Sequence, residues 1–317
     1  MATALVESLC GLLRQHYAFA DRVEAMCSAL AAPPLGDLAG PELAAAMTDR
    51  LQSISPDRHL RVRWFAQAPV EKGNDDDDEA RRRRRIEARI DHQGLQRIER
   101  LAGQVGLLAI SEFHPVADAA PALAAAMTVL EASRALIIDL RGCRGGEPDT
   151  VALLCSHLLG AQPVHLNDLY LRAGNRTQSF WTRPDAAQPR LPDVPLFVLC
   201  SRDTFSAGEE FAYDLQVLGR ATVVGEVSRG GANPGRVHRL DDHFAVFIPD
   251  ARAINPLTGD NWEGRGVQPD VACAAPQALA VAHRLALQAV LAGLDQNDAA
   301  LDGLFEEIRA ALAEPTH

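Results

Sequence analysis

Residues 195–219 read PLFVLCSRDTFSAGEEFAYDLQVLG, and their order decides the fold. Leu196 to Cys200 form an unbroken apolar run of the kind a strand buried on both faces needs. A short polar turn follows, and SAGEEFAYDLQVLG then reads as a helix opening at Ser206. A buried strand running through a tight turn into a helix is half of a βαβ unit. The pattern repeats upstream. RALIIDL (134–140) is an apolar, β-branched strand and TVALLCSHLLG (150–160) a helix, while QVGLLAISEF (104–113) and AAPALAAAMTVLEAS (119–133) form another such pair. Downstream, ATVVGEV (221–227) and FAVFIP (244–249) are strands, and PQALAVAHRLALQAVLAGL (276–294) is an amphipathic helix. Strands alternating with helices predict an α/β domain around a largely parallel sheet.

The first part of the chain differs. VESLCGLLRQHY (6–17) and ELAAAMTDRLQSI (42–54) repeat apolar residues at three- and four-residue spacing, as helices do. Pro33, Pro34 and Gly36 separate them, and Pro41 suits a first helical position. HLRVRWFAQ (59–67) alternates polar and apolar like a half-buried strand. GNDDDDEARRRRRIEARI (73–90) sets an acidic run against a basic one. A charged docking surface is conceivable there, but the favoured reading is a solvated loop or hairpin whose charges offset each other. The expected organisation is a helical domain over 1–56, a junction of strands and charged loop over 57–103, an α/β core over 104–275 and C-terminal helices over 276–317.

With 317 residues, 47% of them hydrophobic and 23% charged, the chain has the composition of a soluble globular protein. A net charge of −11 repels phosphate backbones and argues against a nucleic-acid partner. The N-terminus lacks a basic start and an uninterrupted apolar run, so it does not read as a signal peptide. No apolar run is long enough for a membrane span. The six cysteines are scattered without disulfide or zinc spacing. Reduced thiols, a cytoplasmic home, no metal and no cofactor are expected. A homo-oligomer stays open.

Five stretches can carry chemistry. Ser206 stands where a strand–turn–helix delivers a hydroxyl to the positive end of a helix, with small Ala207 and Gly208 behind it. The Ala207 N–H could donate to an oxyanion; equally, Ser206 could be only an N-cap. In IIDLRGCRGGEPD (137–149), Gly145 and Gly146 let backbone amides approach a ligand, or simply make a tight turn. Asp139 and Arg141 could form a structural ion pair. GEVSRGGANPG (225–235) and INPLTGDNWEGRGVQPDV (254–271) are loops rich in Gly, Pro and Asn. They offer Gly230, Gly231, Asn233 and Trp262 as candidate substrate-binding residues, and Glu263 as a carboxylate that could orient a histidine. His59, in SPDRHLRV (55–62), begins a strand at the domain junction.

In this order the stretches resemble the family of tail-specific (C-terminal processing) proteases, tricorn and interphotoreceptor retinoid-binding protein. QGLQRIERLAGQVGLLAISEF resembles the first core strands, IIDLRGCRGGEP the strand with its double glycine, and TFSAGEEFAYDL the nucleophile turn. GGANP and INPLTGDNWEGRGVQPD are similar to closing loops of the retinoid-binding-protein-like branch. The resemblance implies an α/β fold of the Clp protease and crotonase type, a ββα superhelical core behind a small N-terminal helical domain. It also implies a serine hydrolase. Tail-specific proteases use a lysine base a few residues after Gly-Glu, and Gly231 occupies that position here. Tricorn and the chlamydial protease-like activity factor instead take a histidine from the junction and a glutamate from the last loop. His59 and Glu263 match those positions.

The resemblance therefore implies a Ser206–His59–Glu263 triad, with Gly145, Gly146 and Ala207 as the oxyanion hole. Cys143 departs from the asparagine common in the glycine loop, and Arg58 from the serine that precedes tricorn's histidine. Residues 60–103 are too few for a peptide-binding PDZ domain. A histidine base predicts loss of activity on acidification near the free imidazole pKa of about 6.5. The leading reading is a serine peptidase acting on peptides. The alternatives are a small-molecule hydrolase or acyl-transfer enzyme on the same triad, and a non-catalytic binder of apolar ligands.

Overall fold

The computed structural model describes residues 2–33, 35, 36, 38–67 and 78–314. Three helices come first: α1 (Ala2–His16), α2 (Val23–Ala31) and α3 (Gly40–Ile54), with Pro41 in the first turn of α3. Their apolar stripes close on one another through Leu9, Leu13, Met26, Leu43, Met47 and Leu51. The stripe finishes on a small antiparallel sheet in which β1 (Arg61–Trp64) pairs with β10 (Phe244–Pro249), and β10 with β9 (Gly235–Arg239). Val62, Phe244, Val246 and Ile248 complete this cluster. A strand of the last third of the chain is thereby bound to the N-terminal helices.

The principal sheet has the order β12-β8-β7-β4-β3-β2, formed by β12 (Val271–Ala272), β8 (Thr222–Gly225), β7 (Leu196–Cys200), β4 (Ala135–Asp139), β3 (Val105–Ile110) and β2 (Leu95–Leu101). All neighbours are parallel except β2, which forms an antiparallel hairpin with β3. Both faces are covered, which is why the strands read as continuous apolar runs. Leu136 and Ile138 of β4 and Val198 of β7 face α5 (Val116–Val129), α6 (Pro148–Leu158) and α7 (Ala207–Val217). Ala135, Ile137, Phe197 and Leu199 face α8 (Ala278–Gly293) and α9 (Asp302–Ala313). A third, antiparallel sheet joins β11 (Ala251–Ile254), β5 (His165–Leu171) and β6 (Arg176–Trp181).

The charged stretch departs from the expected loop or hairpin. Asp78–Ile90 is a helix, α4. Arginine is a good helix former, and acid and base fall at helical spacing, as in Arg81–Asp78 (3.6 Å) and Arg83–Glu79 (4.0 Å). The start of that stretch, residues 73–77 with Asp75, Asp76 and Asp77, lies outside the described residues.

Candidate active site

The C-terminal ends of β4, β7 and β8 converge on one edge of the parallel sheet, where open α/β sheets place their sites. Behind β7, the turn is laced to the glycine loop behind β4. Thr204 Oγ1 donates to the Leu140 carbonyl (2.8 Å), Ser201 Oγ to the Arg141 carbonyl (2.6 Å) and Phe205 N–H to the Cys143 carbonyl (3.0 Å). Ser206 emerges from this turn at φ 54° and ψ −119°. A non-glycine residue there carries strain of about 1–3 kcal/mol, a feature that clusters at functional sites. Ala207 follows as the first residue of α7. Its N–H, like that of Gly146, has no protein acceptor among the described residues.

Gly145 must be glycine. Its φ is 113°, and an added Cβ would fall 2.7 Å from Ser206 Cβ and 3.3 Å from Ser206 Oγ. Gly145 is thus packed against Ser206, with Ala207 next to the serine in the chain, while Gly146 meets the Phe113 backbone. Asp139 and Arg141 form the structural ion pair (2.6 Å), with Arg141 also donating to the Ala275 carbonyl. Cys143 takes the space left by Gly208, where a Cβ would lie 2.9 Å from its Sγ. Burial pushes its thiol pKa up to about 12, so it is no nucleophile.

Glu209 went unsingled in the sequence, yet it organises the turn. It is wholly buried. One carboxylate oxygen accepts from the N–H groups of Ser206 and Gly231 (both 2.9 Å); the other accepts from Gly230 N–H (2.6 Å) and Ser228 Oγ (2.5 Å). The only sequence signal was a glutamate three residues after a cap-like serine.

His59 lies in the turn before β1. Its ring packs on Phe205, the residue preceding Ser206, with centroids 4.5 Å apart, and on Phe247 at 5.6 Å. Nδ1 is buried without a partner. No hydrogen bond joins His59 to Ser206 among the described residues. Burial, then the charges of Arg229 and Arg61, lower the imidazole pKa to about 4, well below the free value expected from sequence. The imidazole is therefore neutral at ordinary pH. Gly231 explains the missing lysine: a Cβ there would meet Phe205 Cε2 at 2.2 Å and His59 Cε1 at 2.9 Å. The two rings fill the space a lysine stem would need.

Glu263 is brought to the same place from the loop after β11, but it does not bond the imidazole directly. Oε1 accepts from Arg58 N–H (2.8 Å), and Oε2 from Ala232 N–H (2.6 Å) and Asn233 N–H (3.2 Å). Burial and the neighbouring Asp57 raise its pKa to about 7. Asp57 is a second residue that sequence reasoning missed. It is fully buried, accepts from His59 N–H and Asn233 Nδ2, both at 3.0 Å, and has its pKa raised to about 6 by burial.

The four residues expected to bind substrate have most of their polar groups engaged within the protein. Gly230 and Gly231 spend their amides on Glu209, and Asn233 holds the two acids. Trp262 is buried, with its indole N–H on the Gly231 carbonyl (3.0 Å). All four help shape the acid loop, and Asn233 also keeps Oδ1 unpartnered and lines the cavity behind the acids. A cavity of about 400 Å³ opens behind the acids, lined by Phe19, Arg22, Asp57, Asn233, Arg252 and Glu263 among others. Among the described residues two groups gather metal-type donors, Asp57–His59–Glu263 and Asp91–Glu112–His114. In the first the carboxylates are already held by protein N–H donors. The second is crossed by Arg144, which pairs with Glu112 at 3.0 Å.

A parallel sheet thus delivers a strained serine to the start of a helix. The chain belongs to peptidase family S41. The family model matches residues 104–273, and that for the N-terminal domain of the family in eukaryotic IRBP matches residues 1–92. The chain is 25% identical over 144 residues to a "Probable CtpA-like serine protease" of Staphylococcus haemolyticus, a match covering 45% of this chain and 28% of that protein. Among solved structures, a candidate peptidase from Parabacteroides merdae superposes with a TM-score of 0.67 at 16% identity, over 93% of this chain and 99% of the other. Mature CPAF gives 0.61 at 12% identity, over 92% and 98%. The photosystem II D1 C-terminal processing protease gives 0.52 at 14%, over 86% and 93%. These likenesses carry the fold, and among the described residues no helix is long and apolar enough to cross a membrane.

Proposed function

We propose that the chain hydrolyses peptide bonds with Ser206 as nucleophile, His59 as general base and Glu263 as the acid supporting it. The observation that carries this reading is the strained φ of Ser206 beside the close-packed Gly145. In the first step Ser206 Oγ bonds to the scissile carbonyl carbon. Its proton passes to a nitrogen of His59, and the carbonyl π electrons move onto the oxygen. Gly146 and Ala207 N–H groups, free of protein acceptors, donate to that oxyanion. His59 then returns the proton to the departing amine, and water repeats the sequence on the acyl-enzyme. The His59 ring rests on Phe205, the residue before Ser206, and catalytic hydrogen bonds commonly tighten when substrate binds.

The discriminating experiment offers the protein an unstructured polypeptide and a small activated ester in parallel, with Ser206→Ala as control. Peptide cleavage that disappears in the variant is expected. Ester turnover without peptide cleavage would favour the small-molecule hydrolase instead. Neither activity, with a folded protein, would favour a binder.

A further inference from the structure

The catalytic reading leaves Asp57 without a role, although it sits at the centre of the base's surroundings. Its side chain is fully buried. One oxygen accepts from the His59 main chain, the other from Asn233. One nitrogen of His59 and one oxygen each of Asp57 and Glu263 lie within 4.8 Å of one another. Two of the four buried, unpartnered side-chain atoms among the described residues also belong here, His59 Nδ1 and Asn233 Oδ1. A turn-forming residue need not be charged, because asparagine caps the same turn. A buried carboxylate is costly without a positive partner. Arg22, a nearby cation, favours the charged carboxylate from a distance but gives its guanidinium to Ser55 Oγ at 2.7 Å and not to Asp57. The group that becomes positive during the reaction is the imidazole.

We propose that Asp57 is a positioning residue for the base: with Glu263 it forms a two-carboxylate seat that orients His59 and balances its charge as it takes the Ser206 proton. The inference rests on the Ser206–His59 reading. The two acids divide the work. Glu263 ties the turn bearing His59 to the 232–233 loop through three main-chain N–H groups. Asp57 shares the turn with His59 and moves with it. The proton stays on the imidazole, and the carboxylates hold its charge.

The charged and titratable groups facing this seat are Tyr17, Arg22, Arg61 and Arg229, besides the three residues themselves. With Asp57 at about 6, Glu263 at about 7 and His59 at about 4, it is the acids that titrate between pH 5 and 8. Activity needs both charged, so it falls as the pH drops through 7 and 6.

The test measures the rate at which a fluorophosphonate inactivates Ser206, from pH 4.5 to 9, in the parent, Asp57→Asn and Glu263→Gln. Asp57→Asn can keep its hydrogen bonds, because the Asn233 amide can flip and present its unpartnered Oδ1. The expected result is a folded protein labelled about 10²-fold more slowly at pH 8, the scale of general-base assistance, with its acid limb displaced. A parent-like rate and limb would overturn the inference. If Asp57→Asn does not fold, the exchange Asp57→Asn/Asn233→Asp keeps the hydrogen bond and moves the charge. It is expected to be slow with a displaced limb, and parent-like behaviour would again overturn the role. If Ser206→Ala or His59→Ala labels like the parent, the catalytic reading has failed instead.

Discussion

Ser206 holds a backbone conformation that glycine adopts without steric cost. Ser206→Ala and Ser206→Gly should both abolish hydrolysis, but only glycine releases the strain. The glycine variant is expected to be the more stable of the two by about 1 kcal/mol in urea unfolding; a less stable glycine variant would mean the turn is relaxed. Gly231 makes a second residue-scale case. Gly231→Ala drives a methyl into Phe205 and His59. A misplacement near 1 Å can cost about 10²-fold in rate, and that loss is expected with circular dichroism unchanged. The glycine at the family's lysine position was legible in the sequence. The two rings that demand it were not, because Phe205 and His59 are far apart in the chain and meet only through packing. The low pKa of His59 escaped for the same reason: its largest causes, burial and Arg229, reach it through tertiary structure.

At the scale of elements, α7 carries an unusual load of buried acids behind its serine. Glu210 is held by Asn167 Nδ2 at 3.2 Å, and burial raises its pKa to about 7. The folded protein therefore binds this proton more tightly than the unfolded chain. Its contribution to stability is complete below about pH 4.5 and is lost as the pH rises through 7. Glu210→Gln cannot ionise, so its stability relative to the parent should improve from pH 5 to pH 8, by up to about 3 kcal/mol. Urea midpoints at the two pH values check this, and a constant difference would contradict it. The strands of the parallel sheet were readable because burial on both faces leaves uninterrupted apolar runs. β5 and β6 were missed, because HLNDLYL and RTQSFW mix polar with apolar residues in a sheet that is partly exposed. In α4, composition was read in place of helical spacing.

At the scale of the molecule, the proposed nucleophile and the proposed base are carried by different apolar clusters. Ser206 rises from the parallel-sheet core, whereas His59 hangs from the turn between α3 and β1, packed with the N-terminal helices. β10 joins them, since it belongs to the last third of the chain yet pairs with β1. The order of motifs was legible from sequence, and the junction histidine singled out there lies against Phe205, the residue before Ser206. The second acid, Asp57, and the hub, Glu209, were hidden, since a lone acidic residue carries no signal until its buried partners are seen. The central claim is that Ser206 is activated by His59 across this junction. Its most direct test is intact-mass spectrometry of the parent, Ser206→Ala and His59→Ala after timed exposure to a fluorophosphonate, with circular dichroism confirming each fold. The account predicts a single adduct on Ser206 in the parent, none in Ser206→Ala, and labelling slowed about 10²-fold or more in His59→Ala. An adduct on another residue, or a folded His59→Ala protein labelled at the parent rate, would contradict it.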